Sequence, residues 1–124
     1  MFYSKSQQQG PMAQSSTEAE YIALYQCVCE AVWLRELVKA MLLDGSPVIV
    51  YQDNTSTIQW AAGSDNFHRT KHIARKYHFS REAWIDGIIE IRFCPTEEMV
   101  ADILTKPLIG EQFAKHRTRL LGLW

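Results

Sequence analysis

An α/β fold with parallel strands is what this sequence predicts, and three features carry the prediction. Long segments with apolar residues at helical spacing alternate with short β-branched runs. The order along the chain is helix, strand, helix, helix, strand, helix, which joins parallel strands through crossover helices. Turn residues bracket the β-branched runs, and each run leads directly into a helix-forming segment.

The elements follow in order. Residues 1–5, MFYSK, have room only for a short strand or its tail, and residues 6–16 carry Gly10 and Pro11 among polar neighbours, as a loop does. Residues 17–43 form a long helix: Tyr21, Tyr25, Val28 and Val32, with Ile22, Cys29, Trp33, Leu37 and Met41, recur every three or four residues and make one broad apolar face. Asp44-Gly45-Ser46-Pro47 ends it with a glycine followed by proline. VIVY, Val48 to Tyr51, is a continuous apolar run of the kind buried on both faces of a sheet. After Gln52-Asp53-Asn54 comes a short helix, Thr55 to Ala62, then a loop, Gly63 to Asn66, and a helix crowded with basic residues, His68 to Trp84. Asp86-Gly87 turns into a second strand, Ile88 to Phe93. TEEMVADILTK reads as a helix capped by Thr96, with Glu97 and Glu98 set against the helix dipole and Pro107 as its stop. Residues 107–124 contribute a last amphipathic helix from Glu111 to Leu121. Residues 48–106 are thus the strand-and-helix core of a single 124-residue domain.

The formal net charge of −1 excludes a global basic field, so any nucleic-acid partner must meet a local patch. Cys27 and Cys29 lie two apart on a helical pattern and cannot bridge each other, and Cys94 stands alone. The three thiols are expected to be small buried hydrophobes in a reducing compartment. Neither a signal peptide nor a membrane-length apolar run is present, so the expected setting is intracellular, cytoplasmic or nuclear, with no membrane partner.

Three carboxylates occupy suggestive places. Glu20 is in the first turn of the long helix, Asp53 directly follows the VIVY strand, and Asp102 is flanked by Val100, Ala101, Ile103 and Leu104. Ligands meet open α/β sheets at the C-terminal ends of strands, where Asp53 lies. Phosphodiester hydrolysis by two Mg²⁺ ions about 4 Å apart needs hard oxygen ligands converging from several elements, and these residues are of that type. Each also has an ordinary reading. Glu20 stands at capping-box spacing from Thr17, Asp53 is placed to cap the next helix, and Asp102 fits a solvated helix acid. A fourth carboxylate has no good candidate: Glu90 lies on a strand with either face open to it, and Glu97 and Glu98 suit first-turn acids.

Four blocks, SSTEAEYIAL, YQDNTSTIQWA, HRTKHIARKYHFSRE and PTEEMVADILTKPL, closely resemble in order and spacing the ribonuclease H region that ends the polyprotein of copia-type LTR retrotransposons. The resemblance covers essentially the whole chain. It implies the ribonuclease H fold and cleavage of the RNA strand of RNA–DNA hybrids, with Mg²⁺ held by four carboxylates. Matched position by position, Glu20, Asp53 and Asp102 correspond to three of them, as catalytic metal ligands, while Glu18 corresponds to helix-start chemistry. The resemblance also implies that this chain begins inside the third strand, without the first two strands and the aspartate of the first. The expected architecture is therefore a ribonuclease H-like fold reduced to a remnant third strand, the long helix, two parallel strands with crossover helices, and C-terminal helices.

The segment HRTKHIARKYHFSR sets Arg69, Lys71, Arg75, Lys76 and Arg81 among histidines and aromatics, which suits a nucleic-acid backbone. His68 and His72 share a helical face, a geometry open to a metal, but no adjacent Glu completes a zinc-protease pattern. With the resemblance, Arg69, Lys71, His72 and Arg75 are the expected contacts to an RNA–DNA hybrid. Two functions are then open: a metal-dependent nuclease, weakly active or inactive as this chain alone, or a non-catalytic remnant that binds nucleic acid or protein. The expected partners are the hybrid, an upstream reverse transcriptase segment, or a second copy across an open strand edge.

Overall fold

The computed structural model describes residues 16–63 and 71–123 of the chain, with the side chains of 17–63 and 74–123. Among these, the chain is mixed α/β, with two parallel strands and four α-helices. The expected strand at residues 1–5 and nearly all of the loop at 6–16 lie outside the described residues.

Helix α1 runs Ser16–Leu42, strand β1 Val48–Gln52, helix α2 Thr55–Ala62, helix α3 Lys71–Ile85 and strand β2 Ile89–Phe93. Two short 3₁₀ turns, Thr96–Glu98 and Val100–Leu104, then lead to helix α4, Gly110–Leu120. The strands pair in parallel with Val48 opposite Ile89 and Val50 opposite Ile91. Helices α2 and α3 form the crossover between them.

The core is built from the inward stripe of α1, Tyr21, Leu24, Val28 and Ala31, at steps of three and four. Val50 of β1, Ile89 and Ile91 of β2, Ala61 of α2, and Tyr77 and Ala83 of α3 close around it. Tyr21 donates its hydroxyl to the Tyr77 carbonyl at 3.4 Å, and burial pushes its phenol up to about 12.

Two expectations change here. The VIVY run is buried on one face only: Val50 and Gln52 point into the core, whereas Ile49 and Tyr51, the latter 56% exposed, point away. The bare face also carries the Glu90–Arg92 ion pair at 2.8 Å. Nor does the apolar face of α1 stay buried along its length, since Trp33, Leu37 and Met41 are exposed, Met41 at 71%. The cause is geometric. A helix of 27 residues is about 40 Å long, whereas strands of five residues reach about 17 Å, so the last turns of α1 overhang the sheet.

The end of α1 also differs from the expectation that Gly45 would mark it. The left-handed residue is Leu43, at φ 56°, whose N–H bonds to the Lys39 carbonyl at 3.0 Å. The following turn is held by Asp44, whose Oδ1 accepts from the Ser46 N–H and hydroxyl, while Arg35 donates to the Gly45 carbonyl at 2.8 Å. Helix α2 ends as glycine endings do, with Gly63 at φ 82°. The Arg81 guanidinium packs so closely there that an added Cβ would stand 2.6 Å from its Cζ.

The largest departure lies at 96–106, which does not form one capped α-helix. Met99 adopts an extended conformation (φ −74°, ψ 94°) that splits the segment into the two 3₁₀ turns. Thr96 makes no capping hydrogen bond. Glu98, rather than serving the dipole, accepts from both Lys115 and Arg119 of α4, and these bonds hold its carboxyl near a pKa of about 2. The expected buried thiols are not fully buried either: Cys27 is exposed, and Cys29 and Cys94 are half-buried.

Candidate active site

The three sequence-predicted acids come from three separate elements. Glu20 is in the first turns of α1, Asp53 is the first residue after β1, and Asp102 sits in the 3₁₀ turn that follows β2. The parallel register brings the C-terminal ends of β1 and β2 together, with Gln52 opposite Phe93. Residues leaving those two strands therefore emerge side by side, at the sheet end where α/β folds place ligands.

The ordinary reading of Asp53 fails on local geometry. Asn54 caps α2, its Oδ1 accepting from the Thr57 N–H at 3.1 Å, while Gln52 Oε1 accepts from the Asn54 N–H at 3.1 Å. With the cap filled by its neighbour, Asp53 is left to face the strand ends. There its Oδ2 accepts from the Thr96 hydroxyl at 3.1 Å. Asp102 is not a solvated helix acid: it is 7% exposed, and its Oδ2 receives the Lys106 Nζ at 2.9 Å. For Glu20, helix α1 starting at Ser16 puts Thr17 inside the first turn rather than at the cap.

Electrostatics joins the three acids. Burial raises the Glu20 carboxyl above its ordinary range, Asp53 and Asp102 raise it further by repulsion, and Lys106 opposes them. Cys94, which closes β2, feels the same neighbourhood. Burial first and then Glu98, Asp53 and Asp102 keep its thiol protonated against the pull of Arg119. The acids share one field without closing a ligand cage: among the described residues no group of three His, Cys, Asp or Glu side chains is arranged to hold a metal ion. Two of the three carboxylates have protein partners instead, Thr96 for Asp53 and Lys106 for Asp102. The donor chemistry, hard oxygens from three elements, fits Mg²⁺.

No fourth acid completes the set among the described residues. Glu90 is paired with Arg92 on the face away from the core, and Glu98 is committed to α4. Glu18, expected as helix-start chemistry, does lie in the first turn of α1, and it is buried there, at 1% exposure. Lys106 is the residue that sequence reasoning missed. Its signal was its i,i+4 spacing from Asp102.

Of the expected hybrid contacts, Arg75 is exposed on α3. Lys71 begins that helix, but its side chain and that of His72 are outside the described residues, as is Arg69 altogether. Two other basic residues of the segment are engaged within the protein. Lys76 stands 5.6 Å from the Tyr25 ring centre, and Arg81 lies against Gly63 and within 3.5 Å of the Tyr77 hydroxyl. No described helix is long and apolar enough to cross a membrane.

Sequence comparison adds ancestry to this geometry. The chain is 36% identical over 88% of its length to the retrovirus-related Pol polyprotein from transposon TNT 1-94 of Nicotiana tabacum. It is 35% identical over 95% of its length to that from transposon RE2, and 31% identical over 93% to that from transposon RE1, both of Arabidopsis thaliana. Its homologues are retrovirus-related Pol polyproteins of plant transposons. The aligned stretches include all three acids' elements, yet the chain spans only 8% of the length of each of these Pol relatives. No family model matches the chain, and no solved structure does.

Proposed function

We propose that this chain is the ribonuclease H portion of a retrotransposon Pol polyprotein, which hydrolyses the RNA strand of RNA–DNA hybrids. The observation that carries the reading is the convergence of Glu20, Asp53 and Asp102 from three elements, close enough that Asp53 and Asp102 both act on the partly buried Glu20 carboxyl. Clustering like charges is unfavourable unless a cation or a reaction uses them.

Glu20, Asp53 and Asp102 are the residues that would hold Mg²⁺. Bound there, two such ions supply charge neutralisation at the scissile phosphate and a hydroxide near neutral pH. The chain's own residues do the rest. Thr96 orients Asp53 through its hydroxyl, and Asp102 is fixed by a turn whose backbone bonds run from Thr105 and Lys106 to its carbonyl. The exposed Arg75, with Arg69, Lys71 and His72 along the same basic segment, would meet the hybrid's phosphates and set its register.

With three acids at the site among the described residues, the 124-residue chain by itself would be weakly active or inactive, because catalytic groups that act as a unit lose orders of magnitude when one is lacking. The fourth carboxylate would come from the upstream reverse transcriptase side of the polyprotein or from a second copy across the open strand edge. A non-catalytic role in binding nucleic acid or protein is the second reading, favoured by the commitment of Glu90 and Glu98 to other partners.

The test is Mg²⁺-dependent cleavage of an end-labelled RNA–DNA hybrid by the 124-residue chain and by a version extended upstream. Strong cleavage by the extended protein, abolished by Asp53→Asn, is the expected result. Cleavage indifferent to that substitution, or none from the extended protein, would overturn the reading.

A further inference from the structure

Asp102 already holds a cation. Lys106 Nζ stands 2.9 Å from its Oδ2, and the pair is asymmetric: the Asp102 side chain is almost buried, while that of Lys106 is half exposed. The main chain reinforces the contact, because the Lys106 N–H donates to the Asp102 carbonyl at 2.8 Å. Backbone and side chain thus deliver the ammonium to the same residue. The attraction does not stop there. Asp102 holds the Lys106 proton more firmly than usual despite partial desolvation, and Asp53 and Glu20 add to that hold. Among the described residues, Lys106 acts electrostatically on all three acids, and it opposes the effect of Asp53 and Asp102 on Glu20.

We propose that Lys106 is a built-in counter-cation that occupies the Asp102 carboxylate and competes with a divalent metal ion for it. The inference rests on the proposed metal-binding role of Glu20, Asp53 and Asp102. A divalent ion sits about 2.1 Å from a ligating oxygen, so an ion on the same carboxylate would stand within a few ångströms of the ammonium. Two cations at that separation repel, and one must leave. Lysine is suited to leaving. Its charge is compact and rides on a flexible four-carbon stem, so it can swing into water without disturbing the turn. When no ion is bound, it returns and relieves the crowded acids. Lys106 is a positioning residue in this scheme: it holds the Asp102 carboxylate in place, and it sets how much metal is needed to fill the site.

The experiment is calorimetric titration of MgCl₂ into the 124-residue chain and its Lys106→Met, Lys106→Arg and Lys106→Met/Asp102→Asn variants, with folding checked by circular dichroism. Lys106→Met is expected to bind Mg²⁺ roughly fivefold more tightly than the parent, the scale of a partly exposed ion pair. Lys106→Arg, which keeps the charge, is expected to bind no more tightly than the parent. Equal or weaker binding by Lys106→Met, including no binding by either protein, would overturn the proposal. The double variant separates the two readings. If it loses the ion while Lys106→Met shows no gain, the metal site stands and only the role of Lys106 fails. If it keeps the ion, the metal lies elsewhere and both readings fail.

Discussion

Thr96 and Asp53, 43 residues apart in sequence, are joined by a 3.1 Å hydrogen bond from the threonine hydroxyl to Asp53 Oδ2. The bond ties the segment after β2 to the end of β1, next to the point where Cys94 N–H bonds to the Gln52 carbonyl. Thr96→Val, which keeps the shape and removes the donor, is expected to cost about 0.5–1 kcal/mol in urea unfolding. Thr96→Ser should recover most of it. A loss in Thr96→Ser with none in Thr96→Val would mean that the methyl group, not the hydroxyl, matters.

Glu20 gives a prediction of opposite sign. Its folded pKa is raised above 4.5, so the ionised form weakens the fold, and the penalty sets in as pH rises through the raised value. Glu20→Gln is neutral at every pH. It should therefore melt at a higher temperature than the parent at pH 7, with the advantage vanishing below about pH 4. A lower melting temperature at pH 7 would contradict the repulsion assigned to the three acids.

Glu98 runs the other way again. Its pKa is depressed from 4.5 to about 2 by bonds from Lys115 and Arg119, so its contribution is complete above pH 4.5 and lost as pH falls toward 2. The protection factors of the α4 amides, taken relative to intrinsic exchange at each pH, should fall across that window. In Glu98→Gln the same protection factors should change little between those pH values, and a parent-like acid response there would place the titrating group elsewhere.

Leu43 offers a gain in stability. It is 90% exposed and holds a left-handed conformation, at φ 56°, that strains any residue with a Cβ. Leu43→Gly should stabilise the chain by about 1 kcal/mol in chemical denaturation, since little packing is lost and the strain is removed. Destabilisation would show that the leucine side chain packs in solution.

The strands and helices were legible in the sequence because their signals are local: β-branched runs between turn residues, and apolar residues at three- and four-residue steps. The segment TEEMVADILTK was misread for the opposite reason. Thr96 looks like a cap, yet its hydroxyl goes to Asp53, and the Glu98 side chain clamps α4 from the first turn, so partners far along the chain override helical propensity. Asp102 was only half legible: its apolar flanks left a place against the sheet open, but a solvated helix acid fitted the sequence as well. The freeing of Asp53 was not legible, because it depends on Asn54 taking the cap. The half-bare sheet was hidden as well. A β-branched run reports that a strand can be buried on both faces, not how many layers are there to bury it.

The pairing of Val48 with Ile89 has a consequence for the order of folding. The strands meet only after about forty residues have been looped together, and contacts so distant in sequence form late and slowly. Helix α1, held by neighbours a few residues away, needs no such closure. Asp53 directly follows β1 and Asp102 lies in a turn of the segment after β2, so the acids have no common location until the ladder zips. The proposed chemistry of this chain is thereby coupled to its late folding step, and a newly made polypeptide carries all three acids without yet having a site.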